Sequence, residues 1–201
     1  MIMSEIEQTI ADLNQKDVSF SLKKTVVMVG MMGAGKTAVG RALAQRLGVP
    51  FLDSDAEIEV AADRTVPEIF ERDGEPFFRT KETQVIERLL EERRCVLSTG
   101  GGAFLSELNR NNISNKGVSV WLDADLELLW ARVRNKDTRP LLRTQDPKAT
   151  LSEIFNQRVP IYALADLSVG ADDEYSIEDM VDQVISTLLD KRPDVLEIDN
   201  A

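Results

Sequence analysis

Histidine is absent from this chain of 201 residues, and cysteine occurs once, as Cys95. Without imidazole, acid–base work near neutral pH falls to carboxylates, lysine or substrate groups, and histidine-ligated metals are excluded. A single thiol builds neither a disulfide framework nor a cysteine metal site, which fits a reducing, cytoplasmic setting. Cys95 stands beside Val96 and Leu97 and reads as a small apolar residue of a buried strand. No apolar run approaches the roughly 18 residues of a membrane span. The segment 1–17 carries acidic residues and lacks the apolar core of a secretory leader, so no membrane association is expected. Cations are outnumbered, 24 to 35, and the net charge of −11 argues against non-specific nucleic-acid binding.

The 43% hydrophobic and 29% charged residues suit one soluble domain with a sizeable core. The cations cluster locally: Arg132, Arg134, Lys136, Arg139 and Arg143 fall close together, opposed only by Asp137. A basic segment in an acidic protein points to small anionic ligands.

The organising stretch is 25–47. Thr25-Val26-Val27-Met28-Val29 is an apolar, β-branched run, and Ala38 onward carries apolar residues at helical spacing. Between them, Gly30-Met31-Met32-Gly33-Ala34-Gly35-Lys36-Thr37 reads G-x-x-x-x-G-K-T. Its glycines let successive backbone N–H groups curl around an anion. The following helix aims its positive end at the same point. Lys36 is expected to reach the β- and γ-phosphates of ATP and the Thr37 hydroxyl to ligate Mg²⁺, with Gly33, Ala34, Gly35 and Ala38 completing the nucleotide site.

Further strands are expected at 50–53, 95–98, 118–122 and 167–169. Helices are expected at 55–62, 66–72, 82–93, 125–134, 151–165 and 176–189, with a break at Gly74 and a short helix through Ile6, Ile10 and Leu13. Residues 135–148, with Pro140 and Pro147, read as a mobile loop, and the charged segment after Asp190 as a frayed tail. Alternating strands and helices specify a doubly wound α/β fold around a five-stranded parallel sheet. Ligands bind such sheets at the carboxyl ends of the strands, where Gly30, Asp53, Asp55 and the run Gly100, Gly101, Gly102 all fall. Asp53 and Asp55 would diverge if extended, one serving Mg²⁺ through water and the other accepting or orienting a substrate hydroxyl. Asp55 as a mere helix N-cap is the plain alternative.

Several segments, taken in order, resemble the shikimate kinase family: GMMGAGKTAVGRALAQRLG, LDSD at 52–55, FFRTKE at 77–82, LSTGGGA at 97–103, RPLL at 139–142 and QRVPIY at 157–162. The phosphate loop is generic. The combination of LDSD, Arg79-x-x-Glu82 and the triple glycine is specific. The resemblance covers 26–189 and implies Mg²⁺-dependent transfer of the ATP γ-phosphate to the 3-hydroxyl of shikimate, a step towards chorismate and the aromatic amino acids. It implies Asp55 as the base on the ring hydroxyls and Arg79 and Arg158 as a carboxylate clamp. Gly101 and Gly102 would line the same pocket, with Phe70 and Phe78 as walls. Arg132 would lie near adenine, Asp53 and Thr37 at the metal, and Arg139 in a lid at about 135–148 that reaches over the phosphates. The kinase-like domain is drawn at 25–190, between an extension at 1–24 and a tail at 191–201, in a monomeric cytoplasmic enzyme without nucleic-acid or membrane partners.

Rival readings are a gluconate or nucleoside-monophosphate kinase of the same fold, a GTPase-like switch and a non-catalytic relative. A nucleotide acceptor has no use for a carboxylate clamp, although gluconate does. Guanine-specific loops carry N-K-x-D, which Asn135-Lys136-Asp137-Thr138 misses by one position. Intact Lys36, Thr37, Asp53 and Asp55 argue for catalysis. Replacing Arg139 by Ala is expected to cut kcat strongly and leave the fold intact; wild-type turnover in steady-state assay would remove the lid role.

Overall fold

The computed structural model describes residues 19–136 and 140–199. The expected helix through Ile6, Ile10 and Leu13 and the lid position of Arg139 lie outside them.

Five parallel strands run in the order β3–β4–β2–β5–β6. They are β2 (Thr25–Val29), β3 (Phe51–Asp53), β4 (Val96–Ser98), β5 (Gly117–Ala124) and β6 (Leu167–Ala171). Val26, Val27, Met28 and Val29 are all fully buried. An unbroken apolar run, rather than an alternating one, is what a central strand covered on both faces requires. β6, at an edge, alternates instead, with Leu167 and Val169 buried and Ser168 and Gly170 exposed.

The register decides where function sits. Met28 pairs with Ser98, and Ser98 with Asp53. With neighbouring strands about 4.8 Å apart, the chain leaves β2, β4 and β3 at one level. The phosphate loop, the glycine run and the aspartates therefore emerge side by side.

The helices are α1 (Lys36–Arg46), α2 (Ser54–Ala62), α3 (Val66–Glu92), α4 (Glu107–Lys116), α5 (Leu126–Val133), α6 (Pro147–Tyr162) and α7 (Ile177–Lys191). Caps fix most starts: Thr65 and Glu68 form a capping box at α3, Ser176 and Asp179 another at α7, and Asp125 caps α5. Within α3, Gly74 is non-helical (φ 81°, ψ 169°), the break read at that position. Helical turns resume by Pro76 rather than at residue 82, which brings Arg79 and Glu82 onto one helix.

The structure adds one helix that was not expected and corrects two expectations. The segment 107–116 is helix α4, although only Asn109 and Ile113 of it are buried and no apolar stripe betrays it. The stretch 135–148 is in part ordered, because Pro140–Leu142 forms a 3₁₀ turn and α6 starts at Pro147, four residues before the expected position. The segment after Asp190 is not frayed throughout: β7 (Leu196–Asp199) pairs antiparallel with β1 (Ser19–Leu22), Leu22 opposite Leu196. Leu196 and Val195 are buried, and that burial outweighs the charge of the segment. Leu196→Ala is expected to lower unfolding free energy by about 2–4 kcal/mol, read from urea denaturation.

Candidate active site

The phosphate loop closes over the carboxyl end of β2. Gly35 is the N-cap of α1 with φ 98°, a left-handed conformation open to glycine, and the first turn of α1 holds no acidic residue. Its N-terminal amides and dipole therefore face the loop without internal neutralisation, which is the electrostatics of a phosphate cradle. Lys36 Nζ donates to the carbonyls of Gly30 and Met31, each at 2.9 Å, so the ammonium is held across the mouth of the loop.

Gly33, Ala34, Gly35, Lys36, Thr37 and Ala38 line a cavity of about 530 Å³ together with Asp53, Asp55, Gly101 and Arg132. Sequence and structure agree on this gathering. Ala171 at the end of β6, with Tyr175 and Ile177 beyond it, completes the wall. Arg132 spans the two halves, with long donations at 3.5 Å to the carbonyls of Gly33 and Asp172.

The two aspartates separate by backbone conformation. Asp53 is extended and caps α2, its Oδ1 accepting from the amides of Asp55 at 3.0 Å and Ala56 at 3.4 Å. Asp55 already belongs to the first helical turn, so its reading as the cap is replaced by Asp53. Asp55 Oδ1 is buried without a hydrogen-bond partner among the described residues. Burial first, and the Asp53 charge second, push its pKa up to about 6, against the pull of Lys36 and Arg79. A carboxylate poised near neutrality with a vacant acceptor suits a proton-accepting role.

Thr37 and Asp53 line the same cavity. Among the described residues no group of three or more His, Cys, Asp or Glu gathers to hold a metal. Mg²⁺ needs no such group, since it keeps several waters and takes one or two carboxylates plus phosphate oxygens. One carboxylate, one hydroxyl and a phosphate loop fit that ion.

The glycine run binds the second half of the site together. A methyl group at Gly100 would lie 2.8 Å from Asp55 Oδ1, and one at Gly102 only 2.5 Å from Arg79 Nη2. At Gly101 it would come within 3.5 Å of Arg158 Nη1. Asp55, Arg79 and Arg158 thus converge on three residues whose lack of side chains leaves them room. Arg79 is fixed by Glu82 at 2.8 Å and Glu75 at 3.1 Å, and its guanidinium lies 5.2 Å from the centroid of the Phe78 ring. Glu82 is only 1% exposed; burial raises its pKa, and the Arg79 charge opposes the rise. Phe70 packs on Phe78 with ring centroids 4.7 Å apart, so both aromatics back the Arg79 corner.

Sequence reasoning missed the supports. Ser54 Oγ accepts from the Gly100 amide at 3.3 Å. Arg110 donates at 2.9 Å to the carbonyls of Phe104 and Leu105, and Asn109 at 2.9 Å to that of Ala103, so α4 locks the turn after the glycines. Tyr162 donates its phenol to the Gly101 carbonyl. Tyr162 closes the QRVPIY segment of the resemblance, a helical turn beyond Arg158, but the sequence assigns it no role of its own.

Comparison with known proteins agrees with this geometry. The shikimate kinase family model matches residues 32–189. A shikimate kinase of Ruegeria pomeroyi is 67% identical over 196 residues, covering 98% of this chain and all of that one. One from Cereibacter sphaeroides is 62% identical, covering 92% of each. A solved shikimate kinase of Acinetobacter baumannii in complex with shikimate superposes with a TM-score of 0.78 at 38% identity, covering 84% of this chain and 94% of that one. A P-loop kinase sheet, a glycine run meeting two arginines and full-length similarity lead to one assignment: the chain belongs to the shikimate kinase family.

Proposed function

We infer that the chain phosphorylates shikimate at its 3-hydroxyl with ATP as donor, giving shikimate 3-phosphate and ADP. The observation that carries this reading is the meeting of Asp55, Arg79 and Arg158 at the glycine run, beside the Lys36 loop.

In this reading Gly33, Ala34, Gly35, Lys36, Thr37 and Ala38 cradle the triphosphate, with backbone amides and the Lys36 ammonium meeting its oxygens. Arg132 borders the nucleoside end, and Arg139 acts from the lid. Thr37 and Asp53 hold Mg²⁺, Asp53 through water; the ion, when bound, neutralises charge on the β- and γ-phosphates. Arg79 and Arg158 present forked donors to the substrate carboxylate, a geometry a lysine cannot match. Gly101 and Gly102 let the ring approach the backbone, and Phe70 and Phe78 stiffen the wall. Asp55 orients the 3-hydroxyl and takes its proton as the oxygen attacks the γ-phosphorus; the bond to the bridging oxygen breaks and ADP leaves. The enzyme works as a monomer in the cytoplasm, and among the described residues no helix is long and apolar enough to cross a membrane.

A coupled assay of ADP release at fixed Mg²⁺ is expected to respond to shikimate and not to gluconate or nucleoside monophosphates. A rate independent of shikimate would refute the reading. Arg79→Lys keeps the charge and loses the fork, so the KM for shikimate should rise roughly ten- to a hundredfold while that for ATP holds.

The pH profile follows from Asp55. Its folded-state pKa is raised, so below about 6 the carboxyl is protonated and cannot accept. kcat/KM is expected to fall as pH drops through that value. Asp53→Asn removes one of the charges that raise it, and the acid limb should move to lower pH. An unmoved limb would assign it to another group.

A further inference from the structure

Tyr162 has no part in the reaction as derived above, yet it is fully buried and sits at the junction of two substrate-facing elements. It ends α6, one helical turn after Arg158, and its phenol oxygen donates to the carbonyl of Gly101. The Arg158 guanidinium faces the same spot: a methyl group at Gly101 would lie 3.5 Å from Arg158 Nη1 and 3.7 Å from the Tyr162 oxygen. Burial pushes the phenol pKa up, and the nearby Arg158 charge pulls it down. The ring lies between Phe104, with centroids 6.4 Å apart, and Trp121 at 6.5 Å. Phe104 belongs to the turn directly after the glycine run and Trp121 to β5, so the ring's position is set by the sheet.

We propose that Tyr162 is a positioning residue for the substrate carboxylate: one hydroxyl ties the Gly101 backbone and the Arg158 fork to each other. The chemistry is specific. The phenol has a single proton and gives it to the Gly101 carbonyl, which leaves its lone pairs for an Arg158 N–H. The glycine run has no side chains of its own with which to hold a shape, and Arg158 stands on a long flexible stem. Anchoring both to one rigid, sheet-backed ring removes their independent motion before substrate arrives, and preorganisation of that kind improves binding without adding a contact. A raised phenol pKa keeps the proton in place across the working pH range, so the tie does not loosen with pH.

The inference rests on the reading of Arg158 as a carboxylate ligand, and the test separates the two. Tyr162→Phe keeps the ring and removes only the hydroxyl. Its KM for shikimate is expected to rise about fivefold, the worth of one hydrogen bond, while the KM for ATP stays within twofold of the parent value. The same substitution is then made in an Arg158→Lys background, with kcat/KM taken from the slope at low shikimate. If Tyr162 acts through the Arg158 fork, it should cost less than twofold there. An equal loss in both backgrounds, a parallel rise in the KM for ATP, or an unchanged KM for shikimate in the single variant would each overturn the proposal. Thermal unfolding of all four proteins accompanies the assay, and a loss that tracks the melting temperature instead of the Arg158 background would likewise overturn it. Failure of the underlying reading looks different: Arg158→Lys alone would leave kcat/KM for shikimate unchanged.

Discussion

Charge held out of water, and left incompletely balanced, is the constraint on which this structure turns. The protein is acidic overall, yet the carboxyl edge of its sheet concentrates Lys36, Arg79, Arg132 and Arg158 around the open amides of α1. Two acids are buried among them. Glu82 is answered by Arg79 at one oxygen only; its Oε1, like Asp55 Oδ1, is buried without a partner among the described residues. The cations and open amides of such an arrangement are answered when anions enter, whereas the carboxylate oxygens await a donor such as a hydroxyl. In the proposed reading a triphosphate and an organic acid supply that negative charge.

Only a particular scaffold holds like and unlike charges so close. Parallel pairing of β2, β4 and β3 delivers three loops to one level, so their spacing is set by backbone hydrogen bonds and not by long side chains. Packing then refines it. Asp53 caps the helix that carries Asp55, and α4 pins the turn behind Gly102 through Asn109 and Arg110. The same sheet backs Tyr162 through Trp121.

The sequence was most legible where local chemistry and tertiary role coincide. The β2 run and the glycine turn after it fold as expected, a buried strand followed by a turn and a helix. Gly74 announced its break for the same reason. Legibility failed where a segment owes its form to its neighbours. The polar helix α4 has little apolar stripe of its own and is held by its cap and by contacts to the glycine turn. Residues 196–199 become a strand because Ser19–Leu22 offers them an edge, a partner nearly the whole chain away. Of the site, the residues of the loop, the aspartates and the arginines could be named in advance. The apportioning of roles could not, since the cap at Asp53 and the orphaned oxygen of Asp55 depend on one turn of backbone. Tyr162 stands in the QRVPIY segment, yet nothing local in the sequence ties it to Gly101.

The small antiparallel ribbon of β1 and β7 has a topological corollary. Ser19 stands directly opposite Asp199, and β1 leads through Lys23 and Lys24 into the amino end of β2, the end opposite the catalytic mouth. The described polypeptide is therefore almost a closed loop. A bridge of a few small residues would join those ends, and the molecule could be reopened at a surface turn such as Gly48 without disturbing the order in which its strands lie. Connectivity at that seam is separable from chemistry, which makes it the natural place to graft another module onto the enzyme.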